Sequence, residues 1–258
     1  MGVSWTRVKE VTLWTYEEIL AKLNSTLSYD FVSKHYDLKL RKVQTFLMDL
    51  LKREDKKYDT YRDNVVDTLR QAEVFGVGNL SGLLRSIPNR EQCEYFIQTT
   101  NIEFEKLIQL LNCMLRWILP FSRPIREFID KGHTEQEAHL SKTRPLGIRY
   151  NLDVLDRFRT RFARVDFASE ADIPMNFMTN LMHRCDLSRL PYVSGSTVSI
   201  LFHSGFTTLD AVANTSLERL ERKVQEYLEG IGKRYSRSFI ELESAIVQAT
   251  VLPKIIEA

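Results

Sequence analysis

Glycine and proline are scarce, ten and seven in 258 residues. With so few chain-breaking positions, long helices use this length more readily than many short turn-linked strands. Net charge is also small, +2 from 36 basic and 34 acidic residues. No bulk cationic field is available to hold a polyanion, so nucleic-acid binding would have to come from local patches. Only three cysteines occur, Cys93, Cys113 and Cys185, too scattered for a paired framework. Such thiols read as buried and reduced, which points to a cytoplasmic (nucleoid-associated) or nuclear protein, not a secreted one. No apolar run approaches the roughly 20 residues of a membrane span, and no signal peptide is seen.

Enzyme signatures are missing as well. There is no GxxxxGK[ST] loop to cradle a nucleotide, no DEAD-type acidic box and no GxSxG elbow. The run HTEQEAH places His133 and His139 around Glu135 and Glu137. Its spacing is not HExxH and no further Cys or His lies near, so a capped, solvated helix is the preferred reading over a metal-dependent nuclease. No catalytic residue, metal or cofactor is expected, and the chain reads as a non-enzyme.

What is present is helical periodicity. Thr15-Tyr16-Glu17-Glu18 is a capping box opening a helix with Ile19, Leu20 and Leu23. Residues 38–53 carry Leu40, Val43, Phe46, Leu47, Leu50 and Leu51 at three- and four-residue steps, and Lys52 and Arg53 suit that helix's negative end. Asn89 caps a helix through Gln98, and an apolar helix over about 101–119 ends at Pro120. Residues 150–165 read as one helix, with Leu155, Phe158, Phe162 and Val165 inward and Arg157, Arg161 and Arg164 along another side. Lys142, Arg144 and Arg149 extend that basic patch. The fold class expected is all-α.

Two segments have the form of a helix-hairpin-helix, in which small residues let a turn press backbone amides against a phosphate at a helix start. One is Gly230-Ile231-Gly232, with Ile231 as the plug and Lys233, Arg234 and Arg237 adding charge. The other lies in residues 190–214, with Val193 as the plug, Ser194, Gly195 and Ser196 at the turn, and Val198, Leu201 and Phe202 packing the second helix. A plain helix-ending turn is the competing reading of each.

Leu187, Leu190, Pro191, Val193, Leu201, Phe202, Gly205, Phe206, Thr208, Leu209, Val212, Ala213 and Asn214 follow in register after Leu152, Leu155 and Phe158. On these residues, about 150–230 resembles the C-terminal portion of the superfamily-two DNA-repair helicases related to the helicase part of polymerase theta and to archaeal fork-processing helicases. The tail FIELESAIVQATVLPKI is similar to a widespread uncharacterised archaeal and bacterial domain related to helix-hairpin-helix modules. The family's hairpin glycines fall here on Tyr192 and Ser194, and its following basic residues on Gly195 and Thr197, so the first hairpin departs from the pattern.

The resemblance implies three parts: a helical region 1–100 where a degenerate winged helix would sit, a ratchet-like bundle over 101–184, and a helix-hairpin-helix-like domain over 185–258. It implies that Trp117, beside Arg116, stacks on bases; a core position for Trp117 is the competing reading. No motor domain is recognised, which implies a free-standing relative or a subunit working with a separate helicase or nuclease motor. The function expected is non-enzymatic binding of single-stranded or branched DNA, with RNA as a further partner and no membrane. The alternative is a protein-interaction adaptor built on the same scaffold.

Overall fold

The structure, a computed structural model, describes residues 3–51, 59–191, 193–234 and 242–257. It is all-α, 71% helical, and no strand occurs among the described residues. The chain divides into two units, Met1–Leu119 and Pro120–Ala258. The division thus falls at the Leu119–Pro120 peptide, not at residues 100 and 184, because the apolar helix after residue 101 packs with the helices before it.

The first unit contains α1 (Trp5–Thr12), α2 (Tyr16–Leu27), α3 (Asp30–His35), α4 (Leu40–Leu50), α5 (Asp59–Val74), α6 (Leu80–Ser86), α7 (Arg90–Thr100) and α8 (Phe104–Cys113). The Thr15–Glu18 capping box forms, with Glu18 N–H donating to Thr15 Oγ1 at 3.2 Å and Thr15 N–H to Glu18 Oε2 at 2.7 Å. Leu40, Val43, Leu47 and Leu50 bury one stripe of α4, as their spacing requires. Asn79 and Asn89 cap α6 and α7. Gly82 lies inside α6. Helix α8 continues into a π-helical turn, Met114–Ile118, before Leu119 turns extended. All three tryptophans, Trp5, Trp14 and Trp117, belong to this unit. The wing of a winged helix is missing among the described residues, where a single bridge joins Lys39 to Asn79. Lys52 and Arg53 lie outside those residues.

The second unit holds α9 (Thr134–Thr143), α10 (Asn151–Arg157), α11 (Arg161–Glu170), α12 (Met175–Leu187), α13 (Gly195–His203), α14 (Leu209–Ala213), α15 (Leu217–Gly230) and α16 (Leu242–Val251). Helix α12 is the buried centre: Met178, Leu181, Met182, Cys185 and Leu187 are at most 2% exposed. A buried Asn151 ties two loops to it, its amide donating to Phe121 O at 3.0 Å and to Ser188 Oγ at 2.8 Å. Asp130 is a second tie, accepting from both ends of the Arg184 guanidinium (2.9 and 3.1 Å) and pairing with His203 at 2.8 Å. Burial alone would push the Asp130 carboxyl up, but hydrogen bonds from Arg184, His203 and Gln136 outweigh it and hold the group well below the usual range.

Candidate functional site

The glycine-bracketed bend ends α15, and no helix begins within the described residues 231–234 that follow it. Lys233 N–H donates to Leu228 O at 2.8 Å and Gly232 N–H to Glu229 O at 3.0 Å, with Gly232 at φ 71°. This is a Schellman motif, in which the bend's amides satisfy the last carbonyls of their own helix. Ile231 N–H is also taken, by Tyr227 O and Leu228 O. The expectation of amides free for a phosphate is therefore corrected. Such a site would also face the negative end of a helix dipole. Ile231 is not a plug but 47% exposed. Gly230, Gly232, Lys233 and Arg234 are exposed, so the bend can offer an anion only the two side-chain charges. Arg237 lies outside the described residues.

The upstream hairpin forms as a packing unit. Val193, Val198, Leu201, Leu209 and Val212 are buried, and the hydroxyls of Ser194 and Thr208 cap α13 and α14. Gly195 is buried because α13 starts directly against the backbone of Glu127. A Cβ there would stand 2.5 Å from Glu127 O. The glycine thus serves close approach of two protein backbones, and it is not available to a phosphate. Ser196, one residue on, is exposed, its hydroxyl 2.7 Å from that of Ser194.

The basic helix expected over 150–165 is two helices. The first, α10, stops at Arg157; Thr160 then caps α11, its hydroxyl accepting from Ala163 N–H at 3.2 Å. The break resets the helical phase. Phe162 and Val165, expected inside, are 80% and 49% exposed, whereas Arg164, expected outside, is 5% exposed. Arg164 donates to Phe158 O, Arg159 O and Glu257 O at 2.9–3.1 Å. It is a structural clamp, not a phosphate contact.

Trp117 is 4% exposed in the core of the first unit, so its ring is not presented for stacking on bases. Arg116 is half-buried, its Nε donating to Asn112 at 3.1 Å and its guanidinium 5.8 Å from the Trp14 ring. His133, Glu135, Glu137 and His139 do not converge: among the described residues no group of three His, Cys, Asp or Glu side chains could share a metal ion. The three thiols are buried. Burial pushes Cys93 up to about 11 and Cys113 up to about 12, which removes both as thiolate nucleophiles near neutral pH.

A surface the sequence did not announce lies where residues 121–125 meet residues 149–151. Pro124 bridges Tyr150 in antiparallel fashion, Ile125 N–H donates to Arg149 O at 3.0 Å, and Asn151 N–H donates to Arg123 O at 2.9 Å. This short pairing sets Phe121 and Tyr150, 37% and 42% exposed, on one ledge with Arg123 and Arg149. The Arg123 guanidinium lies 5.1 Å from the Phe121 ring. Arg157 reaches the same loop, donating to Leu146 O at 2.6 Å. Asp153 is consumed in ordering it, accepting from the amides of Arg149 and Tyr150 at 2.8 Å each. Residues 142–164 contain seven basic and two acidic side chains. Lys142 is paired with Asp172, but Arg144, Arg149 and Arg161 are exposed and have no carboxylate partner among the described residues.

Among the described residues, no helix is long and apolar enough to cross a membrane. No curated protein and no solved structure matches the chain. Residues 132–249, within the second unit, match a family described as Domain of unknown function (DUF4332), and it is to this family that the part of the chain bearing the arginine-rich ledge is similar.

Proposed function

We propose that the second unit is a non-enzymatic nucleic-acid-binding module that grips single-stranded or branched DNA by side chains, not by hairpin amides. The observation carrying this reading is the pairing of residues 123–125 with 149–151, which brings exposed Phe121 and Tyr150 beside Arg149, while Arg144, Arg161 and Phe162 are exposed elsewhere along 142–164 and neither Arg144, Arg149 nor Arg161 has a carboxylate partner among the described residues. Guanidinium groups neutralise phosphates without regard to sequence, and each exposed ring offers a face to an unstacked base, worth about 1–3 kcal/mol per base. The near-neutral total charge then matters little, because attraction is set locally by exposed arginines such as Arg144, Arg149 and Arg161. Lys233 and Arg234 add a second, weaker point of attraction. The test is a fluorescence-anisotropy titration against single-stranded, duplex and forked oligonucleotides at rising salt. Binding should favour strands with unpaired bases and weaken as salt rises, because each released counterion then gains less entropy. Absence of binding at about 50 mM salt ends this reading.

One observation favours the adaptor reading instead. Phe162 and Val165 lie one turn apart on α11 and are exposed together, an apolar ridge suited to a protein partner. A nuclease-resistant stoichiometric complex lost on Phe162→Ser would support that reading.

A further inference from the structure

The second unit contains a cleft of about 430 Å³ between residues 126–132 and one face of α9. That volume lies within the range of about 300–1,000 Å³ usual for small-ligand sites. Buried Ile129 and Leu140 give its wall an apolar part. Five ionisable side chains line it: Arg126, Lys131 and Arg144 are basic, Asp130 and Glu137 acidic. Asp130 is not free to pair with the three cations, because both of its oxygens are occupied. Its Oδ1 accepts from Arg184 at 2.9 Å and lies 2.8 Å from His203 Nε2. Its Oδ2 accepts from Arg184 and from the Gln136 amide, each at 3.1 Å. Arg184 is buried behind the wall and does not line the cleft, so this pair cancels within itself. The next acids on the same elements, Glu127 and Glu135, do not line the cleft and lie against Arg123 and His139, each at 3.6 Å. Glu137 alone remains to face Arg126, Lys131 and Arg144, none of which has a carboxylate partner among the described residues. Two positive charges are thus left unbalanced in one concavity, where they repel one another until an anion enters.

We propose that this cleft holds a phosphate monoester, the terminal phosphate of a nucleic-acid strand, between Arg126, Lys131 and Arg144. A monoester carries about −1.5 to −2 charge near neutral pH and three strong acceptor oxygens, which suits two surplus cations and two guanidinium forks. The diester inside a strand carries only one charge and matches the site less well. The strand as bearer rests on the nucleic-acid reading above. Arg144 joins the two, since it lines this cleft and stands among the exposed arginines of residues 142–164.

The test is fluorescence anisotropy of the full chain with one internally labelled single strand in three forms: hydroxyl-ended, 5′-phosphorylated and 3′-phosphorylated. A terminal phosphate at one end or the other should tighten binding by about fivefold or more. Inorganic phosphate, the free source of the same chemistry, should compete that gain away at constant ionic strength and leave the hydroxyl-ended strand bound. Arg126→Ala combined with Lys131→Ala should erase the gain while the hydroxyl-ended strand stays within about twofold of wild type. Glu137→Gln, which removes the one free carboxylate, should enlarge the gain. These positions are exposed, and circular dichroism checks that both variants fold. If the double variant does not fold, Glu137→Gln decides alone. Strands that bind equally well in all three forms overturn this inference and leave the nucleic-acid reading standing. No binding of any strand at about 50 mM salt overturns both. A gain that survives the folded double variant, or that folded Glu137→Gln fails to enlarge, also overturns the proposal.

Discussion

Replacing Gly195 by alanine tests whether the upstream hairpin is a packing device or a ligand cradle. The added methyl would sit 2.5 Å from Glu127 O and 2.9 Å from its Cβ, against ordinary contact beginning at 3.4 Å. The nearest obstacle is backbone, so α13 or the turn Ile125–Phe128 must move. Overpacking of this kind costs about 1–3 kcal/mol. Alanine's better helix propensity returns up to about 1 kcal/mol, leaving a net loss of about 1–2 kcal/mol. For a unit of this size that corresponds to a fall in Tm of about 2–8 °C. Gly230→Ala is the internal control: that glycine also lies on a helix, and nothing stands within 4 Å of its added Cβ. It should be neutral or stabilising by a few tenths of a kcal/mol, up to about 1. Urea unfolding followed by far-ultraviolet circular dichroism reads both. If Gly195→Ala is as stable as wild type while Gly230→Ala behaves as expected, the close-approach argument is wrong.

Three further outcomes are expected. Arg149→Ala combined with Arg161→Ala should weaken single-strand binding and reduce the slope of log affinity against log salt by about 0.7 for each lost phosphate contact; an unchanged slope would remove the ledge from the interface. Trp117→Ala should destabilise by about 3–5 kcal/mol, being a large side chain excised from a core; a stable variant with impaired DNA binding would restore the stacking role instead. Asp130→Asn should lower stability at neutral pH, but by less as the pH falls. A carboxylate whose pKa is depressed on folding stabilises above its unfolded value, about 3.9, and that contribution fades as acid protonates it. Urea midpoints of wild type and variant should therefore converge below about pH 4, and a gap that widens in acid would contradict the assignment.

Local chemistry was well written in the chain. The Thr15 box, the Asn89 cap and the α4 stripe each depend on residues within one or two turns, and each formed as expected. The basic segment was misread because Phe158, Arg159 and Thr160 offer no glycine or proline to announce a break. The cap at Thr160 alone shifts the face, turning Arg164 in and Phe162 out. The ledge was invisible for another reason: its two halves are about 26 residues apart and meet through backbone pairing that carries no periodic signal. Gly230 to Lys233 showed the opposite limit. Two glycines and two cations suit an anion, and only the hydrogen-bond pattern reveals that the donors are already engaged.

The placement of every indole before residue 120 separates the two units optically. Red-edge excitation illuminates the first unit alone, so its melting can be followed without labels while circular dichroism reports on both. Any change of emission on adding an oligonucleotide would report on an indole of the first unit.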